Sequence, residues 1–570
     1  MAKKPRKTGV ASQSATPESE AALRTTTTPT TKRRTWALIF DVKVRRALYL
    51  VLLAALYSPL SQLILAPVYG SIPSAVYHRY GLIVSAMLSF AIKDVVPTYV
   101  EKLFGTFVFW IPVIHFVLFR YSSVLGNPTG PLITECLTTY PLITVAISLA
   151  NKQLDSLDLS FMNENFAEAV PSMVNYFLFT ILQRTFDNIL PTWMGMNKVF
   201  TRIGLQTVIA ATFTSIIPQS MLWASIPAVA FTTVANPHAP LARTTEVLSN
   251  TLALYNYSLI ERHESLTGYI SVLQDNHNKF RVMRCDHSLL GGEWLLPEDP
   301  TGKRKVAEPV YAVFTMLEAV RLVKREKSTG QEQALNIGLG VGTAPSALIA
   351  HGINTSIIEI DPVVHHFAVK HFGLPRNHFG YIGDAVTVVE TTKSEKQEYY
   401  DYIIHDVFTG GAEPVDLFTL EFLSNLNSIL KPEGVIAINY AGNLAMSSTS
   451  LIYRTILNVF PSCRVFREDE QIGDDGTDMN GDFTNMVFIC KKGNKPVTFR
   501  KAVEADFLGS ASRKAYMIPK HEVVPSRFQR EGELLTKANT KILSKMHVQS
   551  AIGHWKLMRR VVPAAVWENW

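Results

Sequence analysis

Cysteine is scarce in this chain of 570 residues: only Cys136, Cys285, Cys463 and Cys490, far apart and with no CxxC pair. That spacing excludes a cysteine-rich zinc module and a disulfide-stapled secreted scaffold, and it reads as four reduced core residues in a protein facing the cytosol. Other metal signals are also missing. Asp478, Asn480 and Asp482 begin like a calcium loop, but Phe483 stands where the turn needs glycine and Ile489 where the closing glutamate belongs. His365, His366, His371 and His378 lie near one helix without a supporting cysteine or carboxylate pattern, so solvated helix histidines and no metal are expected. No GKS or GKT follows any glycine turn, which argues against a nucleoside triphosphate. An excess of basic charge in the folded part is absent too. Residues 1–46 carry 11 of the 55 Lys and Arg and 3 of the 48 acids, leaving 44 basic against 45 acidic residues. The net charge of +7 is a property of a tail, and nucleic acid is not an expected partner.

Hydrophobic residues are abundant, at 47%. Segment 47–67 is long and free of charge, enough for a transmembrane helix. Further apolar segments lie at 81–92, 103–119, 131–150, 170–183 and 203–234, interrupted by Pro112, Pro218 and Pro227. Five to seven spans are expected, six by the best count, with the lipid bilayer as a partner. Lys43, Arg45 and Arg46 precede the first span and place the N-terminus in the cytosol. An even number of spans returns the C-terminal half to the cytosol as well, without saying which organelle is involved.

The expected organisation is a disordered basic tail at 1–46, a multi-pass region at 47–236, and a small β-region with a linking helix at 260–330. A Rossmann-like nucleoside-binding transferase domain follows at 331–500, then a helical extension at 501–570. In the β-region, 264–294 alternates in the manner of strands, with turn signals at Asp275-Asn276 and Gly291-Gly292, and a helix is expected over 310–323. Beyond it, strands near 334–338, 355–360, 379–382, 401–406, 434–439 and 485–490 alternate with helical patterns, the signature of an α/β sheet.

The chemistry gathers at strand ends. LNIGLGVGTAPSAL, starting at Leu335, runs from a strand through Gly338, Gly340 and Gly342 into a helix, and SIIEIDP ends the next strand on Glu359. Glycines there let backbone approach a ligand, and a carboxylate at that distance can accept hydrogen bonds from both ribose hydroxyls. Gly383, Asp384 and Ala385 close the third strand; Asp384 either takes an adenine amino group or caps the next helix. Asp406 ends the fourth, beside Gly410-Gly411, where it either accepts a proton from a nucleophilic amine or caps a turn.

Together these motifs resemble the spermidine/spermine synthase (polyamine aminopropyltransferase) family, over about 264–492. That resemblance implies the fold of class I S-adenosylmethionine-dependent methyltransferases. CDHSLLGGEW resembles the end of the family's N-terminal β-domain, and DVFTGGAEPVDLFTLEFL its membrane-fused branch. By the resemblance, Glu359 holds the ribose, Asp384 the adenine, and Asp406 deprotonates the acceptor amine, with Gly338, Gly340, Gly342 and Ala385 completing the nucleoside site. S-adenosylmethionine or its decarboxylated form is the implied co-substrate, and a small molecule, in one version an amine, the implied acceptor; a homodimer is admissible. Three positions depart from the family pattern. Val341 replaces the acid that grips the aminopropyl ammonium, Thr409 an acid that holds the diamine, and Gly268 a glutamine. Each missing carboxylate removes a charge-assisted hydrogen bond of about 1.5–3 kcal/mol, which turns the expectation from polyamine synthesis toward methyl transfer or an acceptor other than a free diamine. A membrane binding or transport protein with a nucleoside-sensing domain is the alternative, to be probed at Glu135, His115 and Lys93.

Overall fold

The computed structural model describes residues 41–155, 164–217, 220–311, 313–326, 330–407, 410–444, 446–468, 483–529 and 531–570. Most of the basic tail, Pro218, Thr409 and the calcium-like segment 478–482 lie outside the described residues.

The first half is helical. Among the described residues three helices are long and apolar enough to cross a membrane: Val42–Tyr69, Thr98–Phe119 and the run Thr129–Asp155. This is half the number of spans expected. Of the other apolar segments, 170–183 lies within the helix Glu164–Trp193, and the rest fold into shorter helices, His78–Ala91, Arg202–Ile216 and Ile226–Val234, so apolar sequence at 203–234 is divided rather than continuous. The parity argument that set the C-terminal half in the cytosol thereby loses its premise. Inside this bundle the buried carboxylate of Glu135 accepts from Gln62 Nε2 at 2.9 Å and Tyr140 OH at 2.8 Å, and lies 2.6 Å from His78 Nδ1. Lys93 pairs with Asp155 at 2.9 Å.

A five-stranded antiparallel sheet comes next: β1 (Tyr257–Ser265), β2 (Gly268–Asp275), β3 (Phe280–Cys285), β4 (Ser288–Trp294) and β5 (Glu308–Pro309), in that order. The helix expected over 310–323 is shorter. It runs over Val313–Leu317 and tightens into a 3-10 turn at Glu318–Leu322, where Glu318 and Arg321 are buried against Arg513 and Asp506.

The larger sheet has eight strands: β6 (Gln333–Ile337), β7 (Asn354–Glu359), β8 (Phe379–Ile382), β9 (Tyr400–His405), β10 (Leu430–Asn443), β11 (Ser462–Arg467), β12 (Phe483–Lys491) and β13 (His521–Glu522). Their order is β13-β11-β12-β10-β9-β6-β7-β8. Strands β6 to β10 pair in parallel; β12, β11 and β13 are antiparallel additions. From β6 the chain winds outward through β7 and β8, then returns to β9 on β6's other side. A crevice therefore opens between β6 and β9 at their carboxyl ends, the place where such sheets hold ligands.

The cysteine expectation needs correcting. Cys463 and Cys490 face each other in the β11–β12 register and form a disulfide, while Cys136 and Cys285 are free. Two strands 27 residues apart in sequence, brought together by antiparallel pairing, leave no local spacing signal. Disulfides persist in oxidising compartments.

The C-terminal helices tie the halves together. Trp555 Nε1 donates to Val68 O at 3.0 Å, and Arg559 to Ser122 Oγ at 2.8 Å. Arg284 of β3 donates to Pro67 O at 2.8 Å and to Val566 O at 2.7 Å. Arg202, at the start of a bundle helix, reaches Glu264 and Asp286 at 3.1 Å each, all three buried or nearly so.

Candidate active site

A cavity of about 760 Å³ occupies the β6–β9 crevice, within the usual range for small-molecule sites. Gly338, Gly340, Glu359, Asp384, Ala385 and Asp406 all line it, so the crevice brings together residues spread over nearly seventy positions. Gly342 does not line it. It adopts φ +86° as the N-cap of the Thr343–Ala350 helix and sets that helix against the sheet.

The glycines are required by what lies beside them. A Cβ on Gly338 would stand 2.0 Å from the Asp406 carbonyl oxygen, and one on Gly340 would stand 2.4 Å from that of Leu290; both residues have positive φ. Chain therefore passes between β9 and β4 with no room for a side chain, leaving bare backbone facing the cavity.

Glu359 ends β7, buried, with Oε2 accepting Leu339 N–H and Oε1 accepting Asp361 N–H, each at 2.9 Å. Burial pushes its carboxyl up to about 7, although these hydrogen bonds oppose the shift. Each oxygen keeps a second lone pair for hydroxyl donors. Asp384 caps the Ala385–Glu395 helix, accepting from the Val386 and Thr387 N–H groups, and also lines the cavity. Both sequence readings of that residue are thus compatible with its position. Asp406 stands one residue past β9. Asn439 Nδ2 donates to its Oδ1 at 2.8 Å, and burial raises its carboxyl to about 6 against that bond.

The three departures from the polyamine pattern also have physical settings. Val341 is buried in an apolar cluster with Ile270 and Met283, pressed on Gly291, so its side chain belongs to the core rather than the cavity. At Gly268 any Cβ would lie 2.6 Å from the Asp286 carboxylate. Thr409 is outside the described residues.

Several cavity residues carried no sequence signal. Asn439 and Ala441 come from β10, Glu468 from the end of β11, Thr484 and Asn485 from β12, and Tyr311 and Phe314 from the segment before β6. The His547–Val561 helix roofs the cavity with Leu557, Met558 and Val561, pinned by Ser288 Oγ 3.1 Å from His554 Nε2, and Ser71 contributes a wall from the helical half. Three of the four histidines are not simply solvated, since His365 and His378 lie 2.9 Å apart and His371 meets Glu261 at 2.6 Å; His366 is exposed. Among the described residues no group of three or more His, Cys, Asp or Glu could hold a metal ion.

No family model matches the chain. An N-terminal histidine N-methyltransferase of Emericella nidulans is 43% identical over 546 residues, covering 91% of this chain and 96% of that protein. A polyamine aminopropyltransferase of Vibrio vulnificus is 28% identical over 214 residues, 36% of this chain and 68% of that one. Among solved structures, the spermidine synthase of Thermotoga maritima aligns at 16% identity and TM-score 0.30, covering 51% of this chain and 87% of that one. Human methyltransferase-like protein 13 in complex with SAH aligns at 21% and 0.27, covering 41% and 96%.

With a nucleoside crevice in a Rossmann-like sheet and that degree of identity, the protein is an S-adenosylmethionine-dependent methyltransferase, and S-adenosylmethionine is its co-substrate. More narrowly, the chain belongs to the family of the N-terminal histidine N-methyltransferase. The membrane-fused branch of the spermidine synthase family gains no support, since the aminopropyltransferase likeness is confined to about a third of the chain. The transport alternative is not favoured.

Proposed function

We propose that the protein transfers a methyl group from S-adenosylmethionine to the α-amino nitrogen of a protein acceptor that begins with histidine. The observation that carries this reading is the Asp406–Asn439 pair on the cavity floor, read with the 91% coverage by a relative named as an N-terminal histidine N-methyltransferase, a name that does not say which nitrogen is methylated. Glu359 holds the ribose hydroxyls, Asp384 and Ala385 the adenine, and the bare backbone at Gly338 and Gly340 admits the donor closely.

The α-ammonium gives its proton to the Asp406 carboxylate. The freed nitrogen lone pair attacks the methyl carbon in line, the carbon–sulfur bond breaks, and its electron pair stays on sulfur, leaving neutral S-adenosylhomocysteine. Positioning and exclusion of water supply most of the rate. An α-amino group, with an ordinary value near 7.7–8.0, is an easier partner for a carboxylate base than a lysine amine near 10.4. Val341 fits this reading, because the ammonium on the chain of S-adenosylmethionine sits beside that chain's own carboxylate, and the chain is not the group transferred.

The test is incubation of the full chain with S-adenosylmethionine and peptides starting with histidine, free or N-acetylated. A mass gain of one methyl on the free peptide alone is expected; a gain on the acetylated peptide, or on neither, refutes the reading. The acid limb of the rate is expected at an apparent pKa of about 6. A carboxyl raised by burial acts as base only when ionised, so kcat falls as pH drops through that value. A limb at the ordinary carboxyl value near 4 would remove Asp406 from the role.

We also propose that the helical half lies in a bilayer, without assigning its orientation. The support is three helices of spanning length and large apolar side chains turned outward at Ile83, Val84, Met87, Met173, Phe177, Trp223 and Ile226. Retention in the membrane fraction after alkaline carbonate extraction is expected; release into the supernatant speaks against it.

A further inference from the structure

Asparagine followed two places later by serine or threonine, with any residue but proline between them, is the acceptor pattern for N-linked sugar in the secretory route. The chain holds it twice, at Asn256-Tyr257-Ser258 and Asn354-Thr355-Ser356, while at Asn127-Pro128-Thr129 the proline blocks it. So short a pattern arises by chance, and its surroundings decide what it does. Both copies lie beyond the bundle, in the half that carries the Cys463–Cys490 disulfide. Among the described residues no helix of spanning length stands between Asn256 and Cys490, so no bilayer crossing separates them. Disulfides persist in oxidising compartments, the same ones in which N-linked sugar is attached. A thiol pair in β11 and β12 and an amide before β1 thus point independently to one environment.

The fold separates the two copies. Asn354 opens β7, and Thr355 and Ser356 are buried in that parallel strand at 1% and 7% exposure, so folding closes that copy. Asn256 lies in the turn between the Ala242–Ala253 helix and β1, at φ +64°. Asparagine enters the left-handed region more readily than other side-chain-bearing residues and suits exposed turns. The Asn276 N–H donates to Asn256 O at 2.9 Å, so the turn's backbone is tied while its side chain is exposed. Leu254, Tyr255 and Ile260 flank it in sequence at 81%, 47% and 39% exposure, and none of them lines the cavity. Apolar side chains gathered in the open are an aggregation liability unless something covers them. A hydrophilic oligosaccharide on the adjoining amide would screen them.

We infer that Asn256 is an N-glycosylation site, taking its oligosaccharide from a polyprenyl-diphosphate-linked donor. The Asn256 Nδ2 forms a bond to the anomeric carbon of the sugar. The bond from that carbon to the diphosphate oxygen breaks, and its electron pair leaves with the polyprenyl diphosphate. The proton lost from the amide passes to a base of the enzyme that transfers the sugar, which reads the hydroxyl of Ser258 as the end of the pattern. The sugar screens Leu254, Tyr255 and Ile260, stands outside the methyl-transfer cavity, and takes no part in methyl transfer whichever acceptor is used.

The test is a denaturing gel of the full chain made in a eukaryotic host, with and without peptide:N-glycosidase. Wild type is expected to run faster after the glycosidase, and its treated peptide to carry aspartate at 256, the residue that enzyme leaves behind. Untreated Asn256→Gln and Ser258→Ala should each run one sugar step below untreated wild type. Ser258→Ala also loses the 2.7 Å hydrogen bond from Asn276 Nδ2, and Ser258→Thr, which keeps a hydroxyl, should keep the step. Sugar is added before the chain folds, so a variant that folds poorly still reports. No step in wild type, or a step that Asn256→Gln leaves whole and Asn354→Gln removes, overturns the assignment while leaving the methyltransferase reading untouched. Methyl transfer by Asn256→Gln is expected within about threefold of wild type, as for an exposed position away from the site. A larger loss in a variant that still binds S-adenosylhomocysteine would overturn the placing of the sugar outside the reaction.

Discussion

Asp406→Asn is expected to lower kcat by about 10²–10⁴-fold, the range over which a positioned general base acts, while S-adenosylhomocysteine affinity stays within threefold. The substitution keeps the size of the side chain and its contact with Asn439, whose amide can reorient, but removes the charge proposed to take the acceptor's proton. It also leaves Glu359 untouched at the nucleoside end. Single-turnover methylation followed by mass spectrometry separates chemistry from product release. Activity within tenfold of wild type would mean that the amine arrives already deprotonated and that Asp406 only orients it. In that case the acid limb near pH 6 should survive in the variant, because it would belong to the substrate or another group.

Arg202→Ala is expected to destabilise the fold by about 3–5 kcal/mol, as breaking a buried ion pair generally does. Glu264 and Asp286 both have carboxyls raised by burial, with Arg202 the opposing charge that holds them ionised. Without the guanidinium, two carboxylates remain in a dry interface. The sign of the pH dependence follows. A carboxyl with a raised folded value adds stability below its unfolded value and loses it as pH climbs through the folded one, so the deficit of Arg202→Ala is larger at pH 8 than at pH 5. Thermal unfolding of the purified full chain at both pH values checks this. An equal deficit at both would mean that the arginine acts through its 2.6 Å bond to Leu63 O and its packing rather than its charge.

How much of this site the sequence reveals depends on where each residue sits. Glycines 338 and 340, Glu359 and Asp406 follow apolar runs that are legible as parallel strands, and a parallel sheet delivers its strand ends to one crevice. Position in the chain then nearly equals position in space. Asn439, Asn485 and Glu468 are different. They meet through the register of antiparallel strands, and no local pattern specifies which residue of β12 will oppose Ala441. The same pairing hid the Cys463–Cys490 bond. Tyr311 and the roof of Leu557, Met558 and Val561 come from segments whose own periodicity says only "helix" or "loop". In the helical half, hydropathy located the apolar segments but not their breaks, because a short helix packed on neighbours and a membrane-crossing one share composition.

Ser71 in the cavity wall, beside the Val68 and Pro67 carbonyls held by Trp555 and Arg284, has a practical consequence. The transferase portion is not a cassette. Cut away from the bundle, it would lose one wall of its reaction chamber and strand a buried guanidinium beside solvent. Enzymology on this protein therefore belongs on the chain with the bundle attached, and a fragment without it that proves inert would say nothing about the chemistry of the intact chain.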